Sequence, residues 1–224
     1  RRLDPNLEWV AMAKDGDYLH SGTQLASARG NVHALLAGER LMLNFMQRLS
    51  GVATQAYQAV RLVEGTKTTI LDTRKTTPNF RLLEKAAVRI GGAVNHRFGL
   101  FDMIMLKDNH VDVAGGIVKA IEKAKSYLVQ NNLNLGIEVE TRNLKEVEEV
   151  LSMLPIQRIM FDNFSPELTK QAVELVNNRC ETESSGGITI DNIEAYAATG
   201  VQFISLGMLT HSVKSMDISF KIKL

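Results

Sequence analysis

Features that indicate a secreted or membrane protein are scarce in this sequence. Cys180 is the single cysteine among 224 residues, so no disulfide can form within the chain. No apolar run is long enough to span a bilayer, and the opening residues 1–5 (RRLDP) lack the apolar segment of a signal peptide. We therefore expect a reducing compartment, namely the cytoplasm unless an organelle imports the protein. The chain starts without Met, so we also expect further residues upstream.

An excess of charge of either sign is missing as well. The sequence has 26 Lys and Arg against 25 Asp and Glu, for a net charge of +1. This balance gives no general attraction to nucleic acid or to an anionic membrane, and we expect neither as a partner. Any anion site must then be a local cluster of basic side chains. Because 45% of the residues are hydrophobic, the chain can bury a sizeable core.

Short apolar segments alternate with amphipathic helices over most of the chain. Repeated β–α units imply a parallel sheet with right-handed crossovers. With seven strands, this pattern predicts an incomplete (β/α) barrel. The predicted strands are residues 68–72, 92–96, 103–107, 135–140, 158–162, 181–185 and 201–206.

The two ends of the chain have different patterns. Residues 7–13 and 24–29 predict a small antiparallel sheet, and helices over 35–49 and 52–63 follow, interrupted at Ser50-Gly51. From Met216 onward apolar and polar residues alternate, which predicts a strand that returns to the first sheet. We expect three parts. They are a partial N-terminal sandwich domain with linking helices (1–65), a catalytic barrel (66–211) and a C-terminal strand (212–224).

Basic side chains follow the first three predicted barrel strands, where the active site of such a barrel lies. They are Arg74, Lys75, His96, Arg97 and Lys107. Crowded cations repel one another, so the cluster predicts a bound anion, for which a small di-acid is well suited. The alternative for each residue taken singly is a solvated charge at the barrel rim.

Carboxylates follow the opposite strands of the predicted barrel. Glu138 and Glu140 share a face of one strand, and Asp162 ends the next. Carboxylates beside a phosphorylated substrate commonly hold Mg²⁺ or ribose hydroxyls. The alternative is charge balance for nearby basic residues. The five histidines show no zinc-ligand spacing.

Small residues close the last two predicted strands, where phosphate sites in barrels tend to fall. Their backbone N–H groups can approach a phosphate closely. This predicts phosphate contacts at Ser185, Gly186, Gly187, Gly207 and the nearby His211, although each alone is also typical of a turn or a structural residue. Arg40 and Arg48 lie two turns apart on the helix before the barrel, and their spacing alone favours a solvated helix face.

Together these motifs resemble the quinolinate phosphoribosyltransferase family. The similarity runs in order through essentially the whole chain. It rests on residues 39–44 (ERLMLN), 50–54 (SGVAT), 72–78 (DTRKTTP), 95–97 (NHR), 107–110 (KDNH), 138–140 (EVE), 162–164 (DNF) and 183–187 (ESSGG). The resemblance implies an open seven-stranded α/β barrel plus a smaller α/β sandwich domain. That domain is incomplete here, because family members usually carry more residues before the point where this chain begins.

The resemblance also implies a role for each site residue. Arg74, Lys75, His96, Arg97 and Lys107 would bind the two quinolinate carboxylates. Arg40 would reach into the site of the neighbouring subunit of a homodimer. Glu140 and Asp162 would hold the ribose and the Mg²⁺ of phosphoribosyl pyrophosphate, and the small residues with His211 would cradle its phosphates. Lys75, Lys107, Glu140 and Asp162 are the expected catalytic residues.

The expected reaction is phosphoribosyl transfer to quinolinate with decarboxylation, which gives nicotinate mononucleotide, CO₂ and pyrophosphate. One alternative is a phosphoribosyltransferase that uses nicotinate, which has one carboxylate and needs fewer cations. The other is an inactive, truncated ligand-binding relative, which would be marked by loss of the acidic pair. Glu140 and Asp162 are both present.

Overall fold

The structure, a computed structural model, describes residues 2–222. The chain begins with two antiparallel strands, β1 (Glu8–Ala11) and β2 (Ala26–Arg29), as the sequence predicts. The long helix α1 (Val32–Leu62) follows. Asn31 caps it, because its side-chain oxygen accepts hydrogen bonds from the N–H groups of His33 and Ala34.

Helix α1 is continuous, so the predicted interruption at Ser50-Gly51 is wrong. Glycine usually weakens a helix interior, which is why the sequence suggested a break. In the fold, Gly51 is buried and the backbone carbonyl of Lys214 occupies the space that a Cβ would need. The glycine therefore allows the C-terminal tail to approach the helix closely.

The barrel is built from six parallel strands in the order β3-β8-β7-β6-β5-β4. Each crossover between consecutive strands carries at least one helix. The elements are β3 (Thr69–Leu71), α2 (Arg81–Ile90), β4 (Ile104–Leu106), α3 (Asp108–Ala114), α4 (Ile117–Gln130), β5 (Ile137–Thr141), α5 (Leu144–Ser152), β6 (Arg158–Asp162), α6 (Pro166–Val176), β7 (Glu181–Ser185), α7 (Ile193–Ala197), β8 (Phe203–Ser205) and α8 (Met208–His211).

The barrel is open on one side. The predicted strand at residues 92–96 is reduced to a single bridge between Val94 and Leu71 of β3. At the other edge, β4 pairs only with β5 within the described residues. The α/β architecture is thus confirmed, with six strands and one bridge in place of seven full strands.

The C-terminal tail forms no strand over residues 212–222, which corrects the prediction made from its alternating pattern. Its hydrogen bonds go to α1 instead. The Met216 N–H donates to the Gln47 carbonyl at 3.0 Å, and the Gln47 side chain donates to the Ile218 carbonyl at 2.8 Å. Residues 223–224 lie outside the described part. The division of the chain into domains stays a prediction.

Side chains alternate along the barrel strands between two very different environments. Val139 and Ile159 are fully buried in the apolar core that joins the strands to the outer helices. Their strand neighbours on the opposite face include the charged residues Glu138 and Arg158, which are paired across β5 and β6. The inner face of the barrel is therefore polar and can support a charged site at its upper rim. No helix in the described residues is long and apolar enough to cross a membrane.

Candidate active site

A buried ion pair anchors the end of β3. Asp72 and Lys85 are almost fully buried, and the Lys85 ammonium lies 2.6 Å from an Asp72 carboxylate oxygen. Asp72 also accepts hydrogen bonds from the Asn95 side chain at 2.7 Å and from the His96 N–H at 2.8 Å. Burial raises the pKa of Asp72, and the Lys85 charge opposes that shift. These bonds join the strand end to residues 95–97, so the two predicted basic segments are neighbours.

The positive charges of Arg74 and Arg97 lie close enough to affect each other. Arg97 is buried, with its guanidinium donating to the Met103 carbonyl at 3.2 Å. Burial and the positive charge of Arg74 lower the pKa of Arg97. Two cations held this close favour binding of an anion between or beside them.

Lys75, Gly207 and His211 meet at one point of the rim. A Cβ on Gly207 would lie 3.0 Å from the His211 ring and 3.1 Å from the Lys75 side chain. Lys75, which is predicted to bind a substrate carboxylate, therefore lies beside Gly207 and His211, which are predicted to bind the phosphates. Lys75 is exposed, so its ammonium is available to a ligand.

Lys107 and Glu140 are paired with each other. The Lys107 ammonium lies 2.7 Å from a Glu140 carboxylate oxygen. Lys107 follows β4 and Glu140 lies near the end of β5, the adjacent strand. A residue predicted to bind the di-acid therefore contacts one predicted to bind the ribose and Mg²⁺. Asp162 is nearby in the sheet, because Glu140 is paired with Met160, two residues before it.

The loops after β6 and β7 are tied together beside Asp162. The Asn163 side chain donates to the Asp162 carboxylate at 2.8 Å, and the Asn163 N–H donates to the Ser185 carbonyl at 2.8 Å. Gly186 has a φ of +88° and packs against the Asn163 side chain, with no space for a Cβ. Gly187 also has a positive φ, of 64°. Only glycine adopts this backbone at low cost, so the Gly-Gly pair shapes an open loop at the rim.

His96 points into the barrel rather than toward the rim. Its Nε2 lies 3.1 Å from Glu138 and 3.3 Å from Glu183, and its Nδ1 accepts the Arg97 N–H at 2.7 Å. The side chain is 4% exposed. Both ring nitrogens are thus directed at protein groups. The structure does not place this imidazole beside the exposed cations, and its role as a substrate ligand stays a prediction.

The His96 cluster has strongly perturbed pKa values. Burial opposes the charged imidazole, but Glu138 and Glu183 outweigh it and raise the pKa of His96 to about 9. A charged imidazole carries a proton on both ring nitrogens. Because Nδ1 accepts the Arg97 N–H, this hydrogen bond opposes the rise in the pKa of His96. Burial and the neighbouring Glu183 raise the pKa of Glu138 to about 7. Burial also opposes ionisation of Glu183, yet His96 and Arg158 lower its pKa below the usual range.

These three side chains have the atom types and spacing of a metal site, but their surroundings favour an ion cluster. Their ligand atoms lie within 4.8 Å of one another. Arg158 already donates to Glu183 at 2.8 Å. A metal ion would therefore sit against a guanidinium, so we treat the cluster as support for the barrel interior.

Glu140 and Asp162 suit the implied Mg²⁺ better. Both are carboxylates near the rim, and hard oxygen donors are what Mg²⁺ prefers. The Asp162 carboxylate is bonded only through one oxygen, to Asn163, among the described residues. The assignment of these two residues stays a prediction.

The contacts of Arg48 and Glu183 are not predicted by the sequence. Arg48 is not on a solvated face, because its guanidinium lies 2.7 Å from the fully buried Glu84. The sequence signal available for Glu183 was its position two residues before Ser185 in one strand, which places both on the inner face. Arg40 is exposed on α1 with no side-chain hydrogen bond among the described residues, so its role in a neighbouring subunit stays a prediction.

Comparison with known proteins agrees with this geometry. Residues 1–50 match the model of the quinolinate phosphoribosyl transferase N-terminal domain, and residues 52–221 match that of its C-terminal domain. The boundary between the two matches falls inside α1. Together they cover nearly the whole chain.

Individual relatives and structures support the same family. The chain is 48% identical to the chloroplastic nicotinate-nucleotide pyrophosphorylase [carboxylating] of Arabidopsis thaliana, over 98% of this chain and 67% of the relative. It is 45% identical to quinolinate phosphoribosyltransferase [decarboxylating] 1b of Nicotiana tabacum, over 98% of this chain and 66% of the relative. The crystal structure of NadC from Streptococcus pyogenes superposes with a TM-score of 0.92 at 41% identity, over 98% of this chain and 76% of that one. The chain spans about two thirds of the length of these plant relatives. It belongs to the quinolinate phosphoribosyl transferase family.

Proposed function

We propose that this protein transfers the phosphoribosyl group of phosphoribosyl pyrophosphate to quinolinate with loss of CO₂. The products are nicotinate mononucleotide and pyrophosphate, so the reaction belongs to NAD biosynthesis. The observation that carries the proposal is the convergence of basic side chains at neighbouring strand ends, with paired carboxylates beside them. The names of the relatives describe the same reaction in one direction or the other.

The basic cluster is suited to an aromatic di-acid. We assign the positive charge of this site to Arg74, Lys75, Arg97 and Lys107. Charge-assisted hydrogen bonds to carboxylates are about twice as strong as neutral ones, and they fix orientation as well as affinity. Burial and the positive charge of Arg74 both lower the pKa of Arg97, and a carboxylate bound at this point would relieve the repulsion between the two guanidinium groups. His96 lies below the cluster and supports the backbone that carries Arg97.

The other half of the rim is suited to the phosphoribosyl donor. We assign the ribose to Glu140 and Asp162, and the phosphates to the loop at Ser185, Gly186 and Gly187 together with Gly207 and His211. The same two carboxylates would hold the Mg²⁺, which neutralises charge on the pyrophosphate leaving group when it is bound. The exposed Gly187, with nothing within 4 Å of the position of a Cβ, supports this placement because a phosphate can approach its backbone closely.

The chemistry asks the protein mainly to bind and orient. The quinolinate ring nitrogen forms a bond to the anomeric carbon while the bond from that carbon to the pyrophosphate oxygen breaks. Positive charge develops on the ribose, where Glu140 and Asp162 stabilise it electrostatically. The resulting pyridinium accepts the electron pair released when the adjacent carboxylate leaves as CO₂, and that ring carbon then takes up a proton. Holding the two substrates in line can supply a large part of the rate enhancement.

A comparison of acceptors separates this proposal from its enzymatic alternative. We expect kcat/KM for quinolinate to exceed that for nicotinate by roughly 10²-fold or more, because the second carboxylate makes charge-assisted hydrogen bonds to the basic cluster that nicotinate lacks. Lys107→Ala should raise the KM for quinolinate. Equal use of nicotinate, or unchanged kinetics in Lys107→Ala, would favour the nicotinate-using alternative. Tight ligand binding without turnover would favour the non-catalytic one.

We further propose a homodimer with shared active sites. The support is Arg40, which is exposed on α1 without a side-chain partner among the described residues. At a quinolinate concentration well below the raised KM, Arg40→Ala and Lys107→Ala should each have little activity, and mixing them should restore roughly a quarter of the wild-type activity, because half of the dimers then contain one intact site. Mixtures that stay inactive while exchanging subunits would contradict the shared site. For location we propose the cytoplasm. The Arabidopsis relative is named as chloroplastic, so an organelle is the alternative.

A further inference from the structure

The loop that carries Arg74 and Lys75 has no regular structure of its own. Residues 72–80 lie between β3 and α2 with neither helix nor strand. A loop of this kind keeps one conformation only if groups outside it bind its backbone. The positions of both cations therefore depend on the residues that supply those bonds.

Thr210 supplies one of them. It is fully buried in α8, and its hydroxyl donates to the Lys75 carbonyl at 2.8 Å. The next residue in α8 is His211, whose ring packs beside the Lys75 side chain at Gly207. The Thr210 hydroxyl thus links the backbone of Lys75, which we assign to quinolinate, to the short helix that ends at His211, which we assign to the phosphates.

Arg48 and Glu84 together support a second point of the loop, at Thr77. The Arg48 guanidinium donates to the Thr210 carbonyl at 2.7 Å and to the Glu84 carboxylate at 2.7 Å. Glu84 in turn accepts the Thr77 N–H at 2.9 Å and the Thr77 hydroxyl at 2.8 Å. Glu84 is fully buried, and the Arg48 side chain is 27% exposed. The pair therefore connects α1, α2, α8 and the loop through a single charged contact.

We propose that Thr210 and Arg48 are positioning residues that hold Lys75 and His211 in register with each other. We assign neither of them a contact with a substrate. Thr210 binds the loop at the Lys75 carbonyl. Glu84 binds the loop at Thr77, and Arg48 joins Glu84 to the Thr210 carbonyl of α8. This inference rests on the proposed function, which assigns Lys75 to quinolinate and His211 to phosphoribosyl pyrophosphate. A displacement of about 1 Å in such a site can reduce the rate by roughly 10²-fold.

Thr210→Val is the most direct variant, because it removes the hydroxyl and keeps the shape of the side chain. We expect the dissociation constant for quinolinate, measured by calorimetry without donor, to rise roughly tenfold. The KM values for quinolinate and for phosphoribosyl pyrophosphate should both rise, because Lys75 and His211 move relative to each other. Thr210→Ser keeps the donor and should restore wild-type binding.

Thr169→Val is the matched control. Thr169 is fully buried in α6, and its hydroxyl has no hydrogen-bond partner among the described residues. The same chemical change there should leave quinolinate binding and both KM values at wild-type levels. If Thr210→Val binds quinolinate as tightly as Thr169→Val does, the inference is overturned. If the wild-type protein neither binds quinolinate nor turns it over, the proposed function fails instead.

The Arg48 contact needs a paired variant. Arg48→Met alone leaves Glu84 buried and uncompensated and is expected to unfold the protein, so Glu84→Gln is added to it. The double variant should fold and weaken quinolinate binding about tenfold, as Thr210→Val does. Adding Thr210→Val to it should weaken binding by less than the product of the two effects, because both act on one loop. Wild-type binding by the folded double variant would remove Arg48 from the positioning role.

Discussion

Replacing Glu140 by Gln should make the protein bind quinolinate more tightly while it loses turnover. In the structure the Lys107 ammonium lies 2.7 Å from Glu140, so the di-acid must compete with this carboxylate for Lys107. The glutamine side chain has nearly the same size as glutamate and carries no charge. The released Lys107 is then free to bind a substrate carboxylate without first breaking an ion pair.

The size of the effect follows from burial. Two unit charges about 4 Å apart interact by roughly 4 kcal/mol at an effective dielectric near 20. The Glu140 side chain is 7% exposed, but that of Lys107 is 44% exposed, so solvent screens much of this energy. Exposed pairs measure about 0 to 1 kcal/mol. We take about 1 kcal/mol as the competing energy, which corresponds to roughly fivefold tighter binding of quinolinate.

Calorimetric titration with quinolinate alone, without Mg²⁺ or donor, measures this directly. Asp162→Asn is the control for the general loss of negative charge, because Asp162 is bonded to Asn163 and not to a lysine. In a Lys107→Met background, Glu140→Gln should tighten quinolinate binding no more than Asp162→Asn does in the wild-type background. The reasoning is refuted if Glu140→Gln binds quinolinate no more tightly than Asp162→Asn does. Turnover of Glu140→Gln should fall sharply, since the ribose then loses its stabilising charge.

Three further variants test the supporting structure. Asp72→Ala leaves Lys85 buried without its partner, so the free energy of unfolding in urea should fall by about 3–5 kcal/mol; a loss below about 1 kcal/mol would contradict the buried pair. Glu138 and Glu183 raise the pKa of His96 to about 9, so their pairing with the charged imidazole favours the folded state at lower pH and should be lost as the pH rises through 9. His96→Gln should lose less stability than the wild-type protein over the same range. Gly186→Ala should raise the KM for phosphoribosyl pyrophosphate, because a Cβ there meets Asn163. Gly65 also has a positive φ but nothing within 4 Å of the position of a Cβ, so Gly65→Ala is the control and should leave the kinetics unchanged. Equal kinetics for these two glycine variants would remove the Gly-Gly loop from the phosphate site.

Much of the fold could be predicted because its signals are local. Alternation of apolar strands and amphipathic helices identified the β–α units, and reading the strand ends brought together Arg74, Arg97, Lys107 and Glu140. Parallel strands end at the same edge, so position along the chain translates directly into position in the site. Each motif is a short local segment, and the order of these segments along the chain indicated the family.

The errors concern contacts that no local pattern encodes. Gly51 suggested a helix break, but the glycine serves the approach of Lys214, which lies far along the chain. Arg48 looked solvated because its partner Glu84 is 36 positions away. The tail has the period of a strand, yet its hydrogen bonds go to α1. Periodicity reports which face of a segment is apolar, and it does not report which element will cover that face.

The direction of the His96 ring was the least predictable feature of the site. The residue follows the bridge at Val94, where the backbone alone leaves the ring free to face the rim or the interior. Glu138 and Glu183 decide the outcome from inside the barrel, and their strands are distant in sequence. Charged residues inside β5 and β7 were visible in the sequence, but their meeting point was not.

Turnover of quinolinate carrying a labelled carboxyl group next to the ring nitrogen tests the central claim most directly. With phosphoribosyl pyrophosphate and Mg²⁺ present, the account predicts one labelled CO₂ for each nicotinate mononucleotide formed, with neither produced when the donor is omitted. Release of CO₂ without the donor would contradict the transfer step that precedes decarboxylation. Consumption of the donor with no CO₂ released, by a folded protein that binds quinolinate, would contradict the proposed reaction itself.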